Sequence, residues 1–504
     1  MRPTFLGFET ARKGIMASQK ALDITGNNIS NVNTTGYTRQ RVDVFSMVTT
    51  GGGTRYSASK IGCAGQGVYA AGISQIRDPF LDKRYRELNS DTAESATKSS
   101  ILTDIENVLD NIDTDGGLQN ALLSFQKSLS SFATDAADRV EMANIASQSA
   151  QQLVNVVNSY DYKLNQIMDQ TTFELDSSIG DVNSILNKIA SLNKQIADTY
   201  VSNGDITSSA SADYTVNAKY GPNELLDARN VLIDTLSQYG NIEVKNQNDG
   251  TVTINFAGAD VVTGNTATQL SYRVDSTSGA LVLSYTNGAE YKPTNGSLKG
   301  YVDLYNGNGC YATGAQTGIE GIPYYKSVIN KFAEAFASSM NKMNVDTSAP
   351  NTPRPLFVSS DGGPITAGTL RISDSWLTNP MSLIPTNQDG SLDNTHINKL
   401  LSVFDTKQVF GDKQDFSGTF EGYISYYTNK LSQDITFQSG KKEASQTLTT
   451  SILNQRDATS GVSLDEEGIN MMNFQKWFNA SARIMTTLDE SLDTIINKMG
   501  VVGR

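Results

Sequence analysis

The sequence predicts a mainly α-helical chain with a small antiparallel β domain inserted mid-chain and its two ends paired as a coiled coil. Three patterns carry this reading. Both ends have heptad-spaced apolar residues, residues 78–200 keep a helical period almost throughout, and the period falls to two between about residues 250 and 285.

The C-terminal end gives the plainest signal. Met471, Phe474, Phe478, Met485, Leu488, Leu492, Ile495 and Met499 follow alternating steps of three and four, with Ser481 the polar member of the series. That is one heptad seam on one helix. Ser463-Leu464-Asp465-Glu466 reads as an S-x-x-E capping box in which Ser463 and Glu466 satisfy free backbone amides, and Asp465-Glu466-Glu467 suits the positive end of the helix dipole. Lys498 and Gly500 supply stop signals, while Trp477 beside Phe478 reads as packing. Each seam side chain contributes about 1.5 to 3 kcal/mol only once it leaves water, so this helix requires a partner.

The N-terminal end offers one. Phe8, Ala11, Ile15, Ser18, Leu22, Thr25, Ile29 and Val32 form a second seam, and Gly7, Gly14, Ala21 and Asn28 add a small column spaced by one heptad. Small residues permit close approach, but each glycine costs about 1 kcal/mol of helix propensity. The helix is therefore weak alone, and both ends are expected to fray in an isolated monomer. Asn27, Asn28, Asn31 and Asn33, with Gly36 before Tyr37, have turn chemistry. They read either as a structured turn or as a packed connector to the next domain.

Between the ends, residues 42–76 read as short strands and loops. The seams Ile101-Ile105-Val108-Ile112, Leu118-Leu122-Phe125-Leu129-Phe132, Leu153-Val157-Tyr160-Leu164-Ile167 and Val182-Ile185-Ile189-Leu192-Ile196 predict long packed helices, interrupted at Gly116-Gly117 and Gly180. Residues 201–220 read as a loop, and a short helix capped by Asn223 follows. Alternation at Val252-Ile254-Phe256, Leu270-Tyr272-Val274 and Leu281-Leu283-Tyr285, with turns at Asn248-Asp249-Gly250, Gly279 and Asn287-Gly288, gives the β insert. Helix returns with Val328, Phe332, Phe336 and Met340; residues 345–415 are mixed, with a strand at Thr369–Ile372. Helix then resumes from Tyr423 to a break at Thr459-Ser460-Gly461. The expected domains are 1–40 with 460–504 (terminal coiled coil), 41–205 with 320–459 (elongated helical bundle) and 206–319 (β-rich insert). An out-and-back chain of this kind suits a filament building block.

Composition excludes several functions. Fifty-three acidic against 40 basic residues, a formal charge of -13 and no long Lys/Arg run argue against nucleic acid. No apolar run approaches the about 20 residues of a membrane helix, and residues 1–20 lack a secretory core, so neither membrane insertion nor a cleaved signal peptide is expected. Cys63 and Cys310 lie far apart without metal-ligand neighbours and read as isolated packing thiols. His396, among Asn394, Thr395 and Asn398, reads as a surface residue. The G-x-G-x-x-A matches at Gly65–Ala70 and Gly307–Ala312 lack a strand-turn-helix setting and read as loops. No catalytic residue, metal ligand or cofactor site is expected. The remote enzymatic alternative is a secreted cell-wall hydrolase using Asp361, Asp374 and Asp389.

With both ends in view, NNISNVNTTGYTRQ (residues 27–40) resembles the N-terminal signature of the axial proteins of the bacterial flagellum, the rod, hook and hook-associated proteins. SGVSLDEE and FQKWFNASARIM resemble their C-terminal signature. NELLDARNVLIDTLSQYGNIEV, DGTVTINFAGADVV and GSLKGYVDLY point to the hook-associated members that join hook to filament, with a hook or distal rod protein as the alternative. Met343-Asn344, where a histidine and a glycine-bearing turn would be expected, and Phe478, where tyrosine is common, depart from the pattern. The resemblance implies a non-enzymatic structural protein exported through the flagellar type III apparatus. It would assemble as a ring layer through its terminal helices, contacting copies of itself, the hook protein and the second junction protein, hook-associated protein 3. An export chaperone would hold its C-terminal helix beforehand.

Overall fold

The structure, a computed structural model, describes residues 6–46, 67–109, 117–134, 139–202, 220–256, 258–276, 278–311, 318–344, 354–383, 394–410 and 416–498. Helix α1 (Leu6–Ser30) leads into an antiparallel ribbon of β1 (Gln40–Ser46) and β2 (Val68–Gln75). Helices α2 (Pro79–Leu109), α3 (Leu118–Thr134) and α4 (Arg139–Ser202) follow, then α5 (Asn223–Leu236). The insert has one sheet of β3 (Ile242–Asn246), β4 (Val252–Phe256), β5 (Ala259–Thr263) and β6 (Thr266–Ala267), and a second of β7 (Leu270–Val274), β8 (Leu281–Tyr285) and β9 (Glu290–Tyr291). Helices α6 (Ser297–Asn306) and α7 (Ile322–Met343) return the chain to the body.

The mixed stretch holds two small ribbons, β10 (Phe357–Ser359) with β11 (Leu370–Ile372) and β12 (Gln408–Phe410) with β13 (Phe416–Gly418). Helices α8 (Asp374–Thr378) and α9 (Asn394–Asp405) lie between them in sequence. The chain finishes with α10 (Phe420–Ser460), α11 (Leu464–Asp493) and a π turn at Thr494–Lys498. Met499, Gly500, Cys63, Ile112, Gly116 and Asp389 lie outside the described residues.

Helix α4 organises the body, since its 64 residues extend about 95 Å at 1.5 Å per residue. Its first half packs Leu153, Val157, Tyr160 and Leu164 into an aromatic core built by α3, α7, α9 and α10. Phe125 sits at the centre, its ring 6.0 to 6.3 Å from those of Phe336, Phe357, Trp376 and Phe404. The second half buries Leu175, Val182, Leu186 and Ile189 against both sheets of the insert, together with Ile233 and Leu236 of α5. The β insert therefore shares its core with a helix assigned from sequence to the bundle. Helices α2 and α10 run antiparallel through polar contacts, Thr92 to Thr449 at 3.2 Å, Ser99 to Ser439 at 3.0 Å and Ser432 to Glu106 at 2.7 Å.

Four expectations need correction. Gly180 does not interrupt a helix: α4 continues through it, because one glycine costs about 1 kcal/mol and the packed residues on either side outweigh that. Asn223 is not a cap; Pro222 holds the cap position without a side-chain bond, and Asn223 begins the helix. His396 is buried at 1% exposure, with Nε2 2.6 Å from Asn344 Oδ1, because Ile397 and Leu400 draw α9 onto the core. Asn344, noted as a departure from the family pattern, thus caps α7 and receives this imidazole. Of the first glycine motif, Val68–Ala70 open β2 rather than a loop; in the second, Gly307 follows α6 and Gly309–Tyr311 form a 3-10 turn. Cys310 is half-buried and packs against the aromatic core.

Candidate assembly interface at the chain termini

Helices α1 and α11 form an antiparallel pair. A Cβ built on Gly7 would lie 2.9 Å from Leu488, and one on Gly14 would lie 2.7 Å from Ser481 Oγ. Asn28 Nδ2 donates to Glu467 Oε2 at 3.1 Å. These partners step by one heptad in opposite directions, and the same register sets Ala21 opposite Phe474. The small column of α1 is therefore where the two backbones come closest. A Cβ at either glycine would press on the tip of the Leu488 or Ser481 side chain, so the small residues let the pair sit this close.

Burial divides the seam unevenly. Ala11, Ser18, Ala21, Thr25 and Asn28 are buried, whereas Phe8, Ile15, Leu22 and Ile29 are only half-buried. On α11, Met471, Phe474, Phe478, Ser481, Met485, Leu488 and Leu492 are half-buried, and Ile495 is exposed. Val32 lies half-buried in the turn after α1. Outside the seam, Trp477 is 58% exposed, Ile484 54% and Ile469 55%. On the other side of the pair, α1, α11 and the ribbon enclose an apolar groove of about 420 Å³, lined among others by Gly14, Ala17, Ala21, Val44, Phe474 and Trp477.

The asparagine-rich segment packs as a connector and is more than a structured turn. Asn27 and Asn28 belong to the last turns of α1, while Asn31 and Asn33 follow it. Asn28 is fully committed: Nδ2 also donates to the Gln40 carbonyl at 2.9 Å, and Oδ1 accepts from Gln40 N at 3.1 Å and Tyr37 Oη at 2.9 Å. Asn27 Nδ2 donates to Tyr37 Oη at 3.3 Å, and Asn31 Nδ2 to Asn27 Oδ1 at 2.9 Å. Burial, helped by Asp227, Glu224 and Glu467, pushes the Tyr37 hydroxyl up to about 12. Gly36 has φ +80°, and a Cβ there would meet Val231 of α5 at 2.1 Å.

The cap of α11 forms in part as expected. Ser463 Oγ accepts from Glu466 N at 3.4 Å, but the Glu466 carboxylate takes Arg39 Nη1 at 2.7 Å. Arg39 also grips the buried Glu467 at 2.8 Å, and its backbone N donates to the Ser460 carbonyl at 2.8 Å. Below this joint, Thr38 Oγ1 donates to Asp227 of α5 at 2.6 Å and so ties the terminal unit to the body. Ion pairs then hold the adjoining body helices together: Arg77 meets Asp82 at 2.5 Å, and Asp234 receives Arg86 at 2.7 Å and Arg456 at 2.6 Å.

Sequence reading included Arg39, Gln40 and Asp234 only inside quoted motifs, gave them no role of their own, and named Glu467 only as a dipole charge. One signal was available: Glu467 shares a heptad phase with Phe474, Ser481 and Leu488. The two described aspartates of the hydrolase alternative serve local structure. Asp361 is fully exposed and accepts from Gly363 N at 2.9 Å, and Asp374 pairs with Arg371 at 2.8 Å. Among the described residues, no cluster of His, Cys, Asp and Glu could hold a metal ion, and no helix is long and apolar enough to cross a membrane.

Comparison with known proteins agrees with this anatomy. Residues 8–38 match the family described as flagella basal body rod protein, residues 454–498 the flagellar basal body rod FlgEFG protein C-terminal family, and residues 102–347 the flagellar hook-associated protein FlgK helical domain. The first two cover the terminal pair, which makes the chain a structural axial protein of the bacterial flagellum. Flagellar hook-associated protein 1 of Bacillus subtilis is 31% identical over 100% of both chains, and that of Escherichia coli is 25% identical over 97% of this chain and 98% of its own. The chain belongs to the flagellar hook-associated protein 1 family. Its fold is shared with the flagellar hook junction protein FlgK of Burkholderia pseudomallei, at TM-score 0.58 and 13% identity over 76% of this chain and 100% of that one.

Proposed function

We propose that this chain forms the layer joining hook to filament, assembling as a ring of identical subunits through the faces its terminal helices leave half-covered. The half-buried seam carries the reading: Phe8, Ile15, Leu22 and Ile29 beside Met471, Phe478, Met485 and Leu492 present a continuous apolar stripe. Apolar surface of this extent marks an interface. A stripe on one side of the pair and a groove on the other let neighbours engage head to tail, the contact type that closes into rings. On this reading the hook protein lies below and hook-associated protein 3 above, with an export chaperone covering α11 until the type III apparatus delivers the chain. No step requires catalysis.

The test is removal of residues 464–504. The truncated chain should keep the melting transition of its body, whereas cells producing it should carry hooks without filaments under the electron microscope. Filaments on normal junctions would sink the reading.

A further inference from the structure

We infer that the Asn28–Glu467 contact is a register lock, choosing one alignment of α1 on α11 among heptad-related alternatives that the apolar seam does not distinguish. The inference rests on the pair within one chain and not on its role in assembly.

The ambiguity follows from the small column. Gly7, Gly14 and Ala21 face Leu488, Ser481 and Phe474. Sliding α1 one heptad one way sets Gly14 opposite Leu488 and Ala21 opposite Ser481; sliding the other way sets Gly7 opposite Ser481 and Gly14 opposite Phe474. In every case a small residue meets a side chain it can accommodate, so close packing survives the slip. The lowest rung behaves differently. Asn28 is 1% exposed and Glu467 2%, and each completes the other. After one slip Asn28 would face Phe474; after the other, Ala21 would cover Glu467. Either leaves a buried polar group without its partner, and a single buried polar contact in an apolar seam is known to fix register at some cost in stability.

The neighbours reinforce the choice. Gln40 and Tyr37 hold the Asn28 amide in one orientation, and Arg39 holds Glu467 from the opposite side. Asn28 and Glu467 are thus positioning residues whose effect reaches the seam above them.

Disulfide reporters in the full-length chain, with Cys63→Ser and Cys310→Ser removing the natural thiols, read the register directly. A Cβ on Gly14 lies 3.5 Å from Ser481 Cβ, within reach of a disulfide. Gly14→Cys with Ser481→Cys should therefore oxidise readily. The slipped reporters, Gly14→Cys with Leu488→Cys and Gly7→Cys with Ser481→Cys, should form at least about tenfold less. In an Asn28→Leu, Glu467→Leu background the slipped yields should rise by about tenfold or more, whereas mere loosening of the terminal pair would lower the Gly14–Ser481 yield without raising them. Glu467→Gln, which still accepts from Asn28, should keep the single register. Slipped reporters silent in the leucine background would overturn the inference and assign the register to the connectors at 31–39 and 461–463. Slipped reporters already active in the parent, or no Gly14–Ser481 crosslink there, would overturn it as well.

Discussion

The seams of α7 and α11 are both apolar stripes at helical spacing, yet they meet opposite fates. Val328, Phe332, Phe336 and Met340 are buried to 3% exposure or less by α3, α4, α9 and α10. Met471, Phe478, Met485 and Leu492 meet one weak helix and remain half in water. Periodicity reports that a face needs cover; it does not report whether the cover comes from the same chain. Only the number of neighbouring elements separates a core from an interface.

The largest effects should come from the body. Phe336→Ala removes a ring packed against Phe125, Phe357 and Phe420, and should cost about 3 to 5 kcal/mol in chemical denaturation of the monomer. Phe478→Ala, on the half-covered seam, should cost under about 1.5 kcal/mol in that assay because little water is displaced around it. Equal costs would erase the comparison.

The ion pairs beneath the joint between the two regions, and then the joint itself, should respond next. Asp234→Ala leaves Arg86 and Arg456 without their shared carboxylate and should destabilise the chain by about 3 kcal/mol. Gly36→Ala forces a side chain onto φ +80° and into Val231, costing about 1 to 3 kcal/mol and disturbing the terminal unit before the body, as hydrogen exchange would resolve.

The smallest effect concerns pH and belongs to the body alone. Burial, with Glu320 beside it, pushes the Asp434 carboxyl up to about 6. A carboxyl raised above its unfolded value favours the folded state while protonated, and that advantage is lost as pH rises from about 4 to about 6. Asp434→Asn should therefore raise Tm modestly at pH 7.5 and leave it unchanged near pH 4. A gain of equal size at both pH values would refute this assignment.

Much of the fold was legible because it rests on period. The described members of the helical seams from Ile101 to Ile196, the strands around Ile254 and Leu283, and the glycine turns at Gly250, Gly279 and Gly288 lie where the pattern puts them. What was not legible depends on contacts distant in sequence. Nothing near His396 announces that α9 folds onto Asn344, and nothing near Asp234 announces two arginines arriving from α2 and α10. In the terminal unit the seam residues could be named from spacing. The residues that clasp its base could not, since Arg39 and Glu467 are separated by 428 positions.

The clasp also sets an order of events in folding. Asn28 and Glu467 are 439 residues apart, so closing that loop in an unfolded chain costs about 5 kcal/mol of configurational entropy. Once the body has folded, the same closure spans only the short connectors on either side of Ser460 and Arg39, and most of that entropy has already been lost. The chain ends therefore meet last, and the sticky faces they carry stay apart until the protein is whole.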